Sequence, residues 1–139
     1  MGDHSEAVLS LELPCDTDAP ARVRTALAGE DRFGWILGDV MLVASELVTN
    51  AVLHSGCGSQ HRLRVAATLD SDCLRIVVED PGLTAGSIQR RELSEFSDAG
   101  VGLLIVDQLV ERWGAERDDG YRVWAELALS RAGAPADGG

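Results

Sequence analysis

The chain has 139 residues, 45% of them hydrophobic and 25% charged, which is enough for one compact domain and too short for two ordinary ones. Twelve basic residues face 23 acidic ones, a formal net charge of -11, so neither direct nucleic-acid binding nor attachment to an anionic membrane is expected. Every basic residue is arginine, and the absence of lysine excludes a Walker phosphate loop, Schiff-base catalysis and the Ser/Lys hydrolases.

Residues 1–6 and 131–139 carry too little apolar surface to offset the entropy of ordering, so flexible tails are expected around a single domain at residues 7–130. Val8 to Leu13 alternates apolar and polar residues, the period of a half-buried strand, and Pro14 stops it. Asp16, Thr17 and Asp18 then offer helix caps, Pro20 suits a first turn, and Val23, Ala26 and Leu27 follow at helical spacing. Gly34 to His54 reads as a long apolar helix closed by Ser55-Gly56. Leu63 to Leu69 and Leu74 to Val78 read as consecutive strands around a turn at Asp70 to Asp72.

Pro81 to Ala99 breaks this regularity: it is polar and weakly periodic, and loops of that length inside a compact domain are usually functional. Val101 to Arg112 reads as another apolar helix, entered through Gly100 and ended near Gly114. Asp118-Asp119-Gly120 is a hairpin turn leading into the alternating strand Tyr121 to Leu129. The order predicts an α+β two-layer α/β sandwich, with a mixed, mostly antiparallel sheet and its helices packed on one face. No apolar run approaches the ~20 residues of a membrane span. Cys15, Cys57 and Cys73 are odd in number and widely spaced, and no secretory leader precedes them. They are expected to be small core or surface residues in a reducing cytoplasm.

Three segments carry chemistry. On the helix Glu46 to His54, Glu46 and Asn50 are four residues apart and project from one face, with Asp39 within about 20° of the same line. A solvated helix face accounts for such a pair, and so does a site: a carboxylate to accept a proton and an amide oxygen to ligate a hard cation such as Mg²⁺. In Ile76 to Gly82 an apolar strand runs into Asp80-Pro81-Gly82. That is either a simple turn or an acceptor for an exocyclic amine, with a glycine that lets a flat ring approach. In Asp98 to Val106 paired glycines open an apolar helix, and their amides with the positive helix end can hold an anion without lysine. The dinucleotide fingerprint is excluded, because Ile105 stands where its third glycine belongs.

The types and order of these segments resemble the GHKL superfamily of gyrase-, chaperone- and histidine-kinase-type ATP sites, and within it the bacterial anti-sigma-factor serine/threonine kinases and their single-domain ATP-binding relatives. Glu46 to His54 looks like the N box, Val78-Glu-Asp-Pro-Gly82 the first glycine box and Gly100-Val-Gly-Leu-Leu-Ile-Val106 the second. Glu111-Arg-Trp-Gly114 and Val123 to Leu127 are typical of that branch and less specific. The resemblance covers about residues 8–129 and implies a histidine-kinase-like ATPase fold.

By that resemblance Glu46 is the general base for an attacking hydroxyl and Asn50 holds Mg²⁺ against the phosphates. Asp80 receives the adenine amino group, and Gly82 lines the base pocket. Gly100, Val101, Gly102 and Leu103 place main-chain amides on the phosphates, and Pro81 to Ala99 is the lid. Such chemistry needs mainly alignment and charge neutralisation. One departure is Thr84, which stands where the fuller first glycine box ends in glycine.

The expected protein is a cytoplasmic Mg-ATP-dependent kinase of the anti-sigma type. It transfers the γ-phosphate of ATP, leaving ADP, to Ser/Thr of an anti-anti-sigma-type antagonist protein, and it sequesters a sigma factor or similar partner. It acts as a homodimer, with no direct nucleic acid and no membrane. The alternative is a non-catalytic ATP-binding module in which nucleotide only orders the lid and tunes partner binding. His54, Cys57 and His61 have no fourth ligand nearby for zinc, and Trp35, Trp113 and Trp124 are expected as core or interface anchors.

Overall fold

The computed structural model describes residues 6–54, 57–70, 72–81, 102–117 and 120–129. Both expected tails lie outside them, except for Glu6, which opens the first strand, and so does the expected lid apart from Pro81. Strand β1 (Glu6–Pro14) leads into helix α1 (Ala19–Ala28), a 3₁₀ segment (Asp31–Ile36) and helix α2 (Leu37–His54). Strands β2 (Arg62–Leu69) and β3 (Cys73–Asp80), helix α3 (Gly102–Leu109), and strands β4 (Arg112–Arg117) and β5 (Tyr121–Ala128) follow.

The sheet order is β1-β2-β3-β5-β4, and each of these pairings is antiparallel. The mixed sheet expected from sequence is therefore antiparallel throughout its described strands. Alternation explains its two faces. Leu63, Val65 and Ala67 on β2, Leu74, Ile76 and Val78 on β3, and Val123, Ala125 and Leu127 on β5 all enter the core. Against that face lie Val40, Val43, Leu47 and Val48 of α2, Val23 and Leu27 of α1, and Val106 of α3.

The other face carries charge in register. Arg64 reaches Glu12 at 3.4 Å and Glu79 at 4.0 Å, while Arg122 reaches Glu79 at 2.7 Å and Glu116 at 3.2 Å, so one row crosses all five strands. Glu126 accepts from both Arg75 and Arg112, at 2.9 and 2.6 Å. Burial pushes its carboxyl up, but the two guanidinium partners outweigh that and hold it below the ordinary carboxylate range. Arg75 also lies over the Trp124 ring, 4.5 Å from its centroid. Trp124 is thus on the charged face, Trp35 is 44% exposed, and Trp113 packs against the core and donates from Nε1 to Asp107.

Four local expectations change. The α2 helix starts at Leu37 rather than Gly34, because Gly34 takes φ 52° and ψ -125°, a positive-φ backbone that glycine alone adopts without strain, and this kink within the 3₁₀ segment keeps a regular helix from starting there. The α3 helix ends at Leu109 rather than Arg112, because Arg112 pairs with Glu126 of β5 and the chain there is an edge strand. Phe33–Leu53 has the length and apolarity of a membrane-crossing helix, contrary to the reading of the apolar runs. Its apolar side chains Val40, Val43 and Leu47 are fully enclosed by the core, which is what a central helix of this fold requires.

Lastly, Cys15 and Cys57 are joined in a disulfide, and only Cys73 of the three carries a free thiol. Cys57 is therefore not a thiolate available to zinc. The bond closes a sequence separation of 42 residues, which by loop entropy stabilises the fold by about 4 kcal/mol. Reduction, or Cys15→Ser with Cys57→Ser, is expected to lower the melting temperature by roughly 10 °C, read by circular dichroism with and without dithiothreitol.

Candidate functional site

The residue patterns that suggested chemistry ride on elements that touch: α2 packs against both β3 and α3. Glu46 is half-buried on α2, and Asn50, one turn further on, is only 4% exposed. Among the described residues of α2 two polar side chains are buried, Ser45 and Asn50, and they differ in one respect. Ser45 Oγ donates to the Leu42 carbonyl at 3.1 Å. Asn50 has neither Oδ1 nor Nδ2 paired with any described residue. A buried polar group without a partner costs about 1–3 kcal/mol, so an amide left in this state marks a place built for something other than packing.

Asp80 ends β3, at 6% exposure, opposite Tyr121 of β5. Leu74, Ile76 and Val78 alternate with half-buried residues ahead of it, so Asp80 continues the buried row on the helix-bearing side of the sheet. A buried carboxylate is a strong, charge-assisted acceptor for an incoming N–H. The structure thus puts Asn50 and Asp80 within the buried layer between α2 and the sheet, with Glu46 at its half-buried margin.

Gly120 was not singled out as a site residue by its sequence. It precedes Tyr121, and a β-carbon there would overlap the carbonyl oxygen of Asp80. Only a glycine lets the end of β5 pass so near the end of β3. The Asp-Gly turn pattern indicates a hairpin, whereas the approach to Asp80 is non-local. Gly120→Ala is expected to displace Asp80 and lower the unfolding midpoint by a few degrees, measured by thermal melting.

Asp39 does not join the site. Helical geometry aligns it with Glu46 and Asn50, but it sits exposed in the first turn of α2, on a small cleft with Trp35, Gln108 and Leu109. Gly102 begins α3, while Gly82, Gly100, Val101 and Thr84 lie outside the described residues, as do Arg90 and Arg91 and the side chain of Leu103. A groove of about 520 Å³ also opens near Asp80 and Gly120, lined by Arg62, Arg64, Glu79, Pro81 and Arg122 among others. Asp80, Gly120 and Tyr121 line it as well, whereas Glu46 and Asn50 do not, so it reaches the Asp80 end of the buried layer from the charged face without including the orphaned amide.

The donor set suits Mg²⁺ with a phosphate-bearing ligand. Asn50 supplies a neutral oxygen whose capacity is unspent, Glu46 a carboxylate one turn away, and α3 a helix N-terminus at Gly102. Among the described residues no group of three His, Cys, Asp or Glu side chains forms a closed metal cage. A cation held here would take most of its ligands from the nucleotide and water, as Mg²⁺ usually does.

The model of the histidine kinase-, DNA gyrase B-, and HSP90-like ATPases matches residues 38–131. No curated protein matches the sequence. Among solved structures the chain is similar to a chain in the crystal structure of the SiaB-SiaC complex from Pseudomonas aeruginosa. The TM-score is 0.57 at 14% identity, over 87% of this chain and 89% of that one, a likeness of fold. The matched residues contain α2 with Glu46 and Asn50, β3 with Asp80, and α3, on the antiparallel sheet just described. The chain therefore belongs to the histidine kinase-, DNA gyrase B-, and HSP90-like ATPase family.

Proposed function

We propose that the chain binds Mg-ATP between α2, β3 and α3 and acts as an anti-sigma-type serine/threonine kinase. The γ-phosphate goes to Ser/Thr of an antagonist protein, and a sigma factor or similar partner is held in the antagonist's absence. The observation that carries this reading is the buried amide of Asn50, with both polar atoms unpaired among the described residues. Family membership and the buried acceptor at Asp80 support it.

Each residue then has one task. Asp80 accepts the exocyclic amine of adenine, with Gly82 beside the ring. Asn50 Oδ1 holds Mg²⁺, which when bound neutralises charge on the phosphates. Main-chain amides of Gly100, Val101, Gly102 and Leu103 take the phosphate oxygens, a task that needs no lysine. Glu46 takes the proton from the attacking hydroxyl. We also propose a homodimer, on the family resemblance alone. Cytoplasmic residence belongs to the same reading. The fold neighbour occurs in a two-protein complex, which supports a protein partner here.

Incubation with γ-labelled ATP, Mg²⁺ and a candidate antagonist tests the kinase reading; label on a serine or threonine is the expected result, and its absence with several antagonists contradicts it. Thr84 favours a second reading, a module that binds nucleotide without transferring phosphate, because a β-branched residue replaces the pliable glycine at the end of the first glycine box. Under it, Mg-ATP at 100 times its Kd still stabilises the fold by about 2.7 kcal/mol while no label moves.

A further inference from the structure

We propose that the Cys15–Cys57 disulfide is a thiol–disulfide exchange site whose state sets the affinity of the nucleotide cleft through the last turn of α2. The proposal rests on the Mg-ATP reading above. Cys15 is the first residue past β1, and Cys57 is the third past His54, where α2 ends. Asn50 stands four residues before that end, within the final helical turn or the one preceding it. The bond therefore fastens the exit of the helix bearing the orphaned amide to the edge strand of the sheet.

Hydrogen bonds also join the chain at the same point. The Cys15 N–H donates to the His61 carbonyl at 3.1 Å. The Gly58 N–H donates to His61 Nδ1 at 3.0 Å, and the His61 N–H returns to the Gly58 carbonyl at 2.8 Å. Two of these three bonds lie inside the 58–61 turn, and one crosses to the β1 side. Without the disulfide, the covalent tie between the segment that follows α2 and the end of β1 is lost, and helix ends open at low cost. A Mg-ATP ligand that needs Asn50 fixed must then re-order this turn on binding.

The two sulfurs differ in access, which sets the direction of exchange. Cys15 is 3% exposed and Cys57 is half-buried, so an incoming thiolate reaches Cys57 Sγ first. A new bond forms between the attacking sulfur and Cys57, the Cys15–Cys57 bond breaks, and its electron pair leaves on Cys15 Sγ, which takes up a proton. A second thiol of the reductant then attacks the mixed disulfide, releasing Cys57 as a thiol and the reductant as its own disulfide. Two electrons and two protons pass from a dithiol reductant to the bridge, and a disulfide oxidant reverses the sequence. Such reversible bonds are the kind found in reducing compartments. Cys73 competes poorly, since burial first, and then Asp70, pushes its thiol above the ordinary range.

The test uses the full chain in both redox states, with Cys15→Ser/Cys57→Ser as a permanently open form. Alkylation in denaturant, read by mass spectrometry, is expected to modify one cysteine before reduction and all three after it. Mg-ATP titrated into each form is expected to bind about tenfold more weakly to the reduced and doubly substituted chains, the cost of re-ordering about one backbone residue. Nucleotide-free hydrogen exchange over residues 46–54 is expected to quicken in both. With glutathione disulfide, Cys15→Ser should acquire an adduct on Cys57, whereas Cys57→Ser should leave Cys15 unmodified. Equal tight binding in both redox states, or three alkylated cysteines in the oxidised chain, overturns this proposal alone. Absence of binding in every form overturns the Mg-ATP reading and this proposal with it.

Discussion

Exchanging Asp80 for asparagine is expected to weaken ATP binding about 10- to 100-fold while leaving the fold intact. The carboxylate is 6% exposed and stands in the buried row of β3, so a hydrogen bond it accepts there is charge-assisted and shielded from water. Such bonds contribute about 1.5–3 kcal/mol, which sets the range. Asparagine keeps the shape and one oxygen but loses the charge, so the charge-assisted part of the bond to the ligand is what the change removes. The same change should erase any preference for ATP over ITP, whose base lacks the exocyclic amine. Unchanged affinity for both nucleotides would remove Asp80 from the base pocket.

Glu46→Gln is expected to separate binding from chemistry. Glu46 is half-buried at the margin of the cleft, one turn ahead of Asn50, where a base can meet both solvent and a substrate hydroxyl. Glutamine preserves size and helix propensity but cannot take a proton at neutral pH. Phosphoryl transfer should fall about 100- to 10,000-fold, with ATP affinity within about twofold of the parent chain. Transfer that persists at the parent rate assigns the proton to another group. A parallel fall in affinity would show that Glu46 holds the nucleotide rather than the proton.

Most of the architecture is legible in the sequence because it is written in local periodicity. The alternation in Val8 to Leu13, Leu63 to Leu69 and Tyr121 to Leu129 becomes β1, β2 and β5, with the expected faces inward. The i, i+4 spacing of Glu46 and Asn50 becomes a shared side of α2 for the same reason. Features set by distant partners are not legible. Apolar periodicity runs through Val101 to Arg112, yet edge pairing of Arg112 with Glu126 stops α3 early and turns the chain into β4. The Cys15–Cys57 bond joins residues 42 apart, and nothing in either neighbourhood announces its partner. Gly120 reads as turn chemistry, and only the folded sheet brings it onto Asp80.

The site divides along the same line. Asn50 and Asp80 are identifiable as residue types at a spacing, but only burial distinguishes them from a solvated stripe and a surface turn. Asp39 illustrates the converse, because it satisfies the helical geometry and is nevertheless exposed, standing two full turns before Glu46 at the open start of α2.

Calorimetric titration of Mg-ATP into the parent chain and into Asn50→Leu bears most directly on the cleft. Leucine has the same branched outline of four heavy atoms as asparagine, and it removes a buried amide that has no partner among the described residues. The parent chain should give an exothermic isotherm with one site per chain. The leucine variant should give no heat, yet should melt several degrees higher, since about 1–3 kcal/mol of unsatisfied polar burial has been relieved. No heat in the parent chain, or unaltered binding in the leucine variant, would contradict a nucleotide site built on this amide.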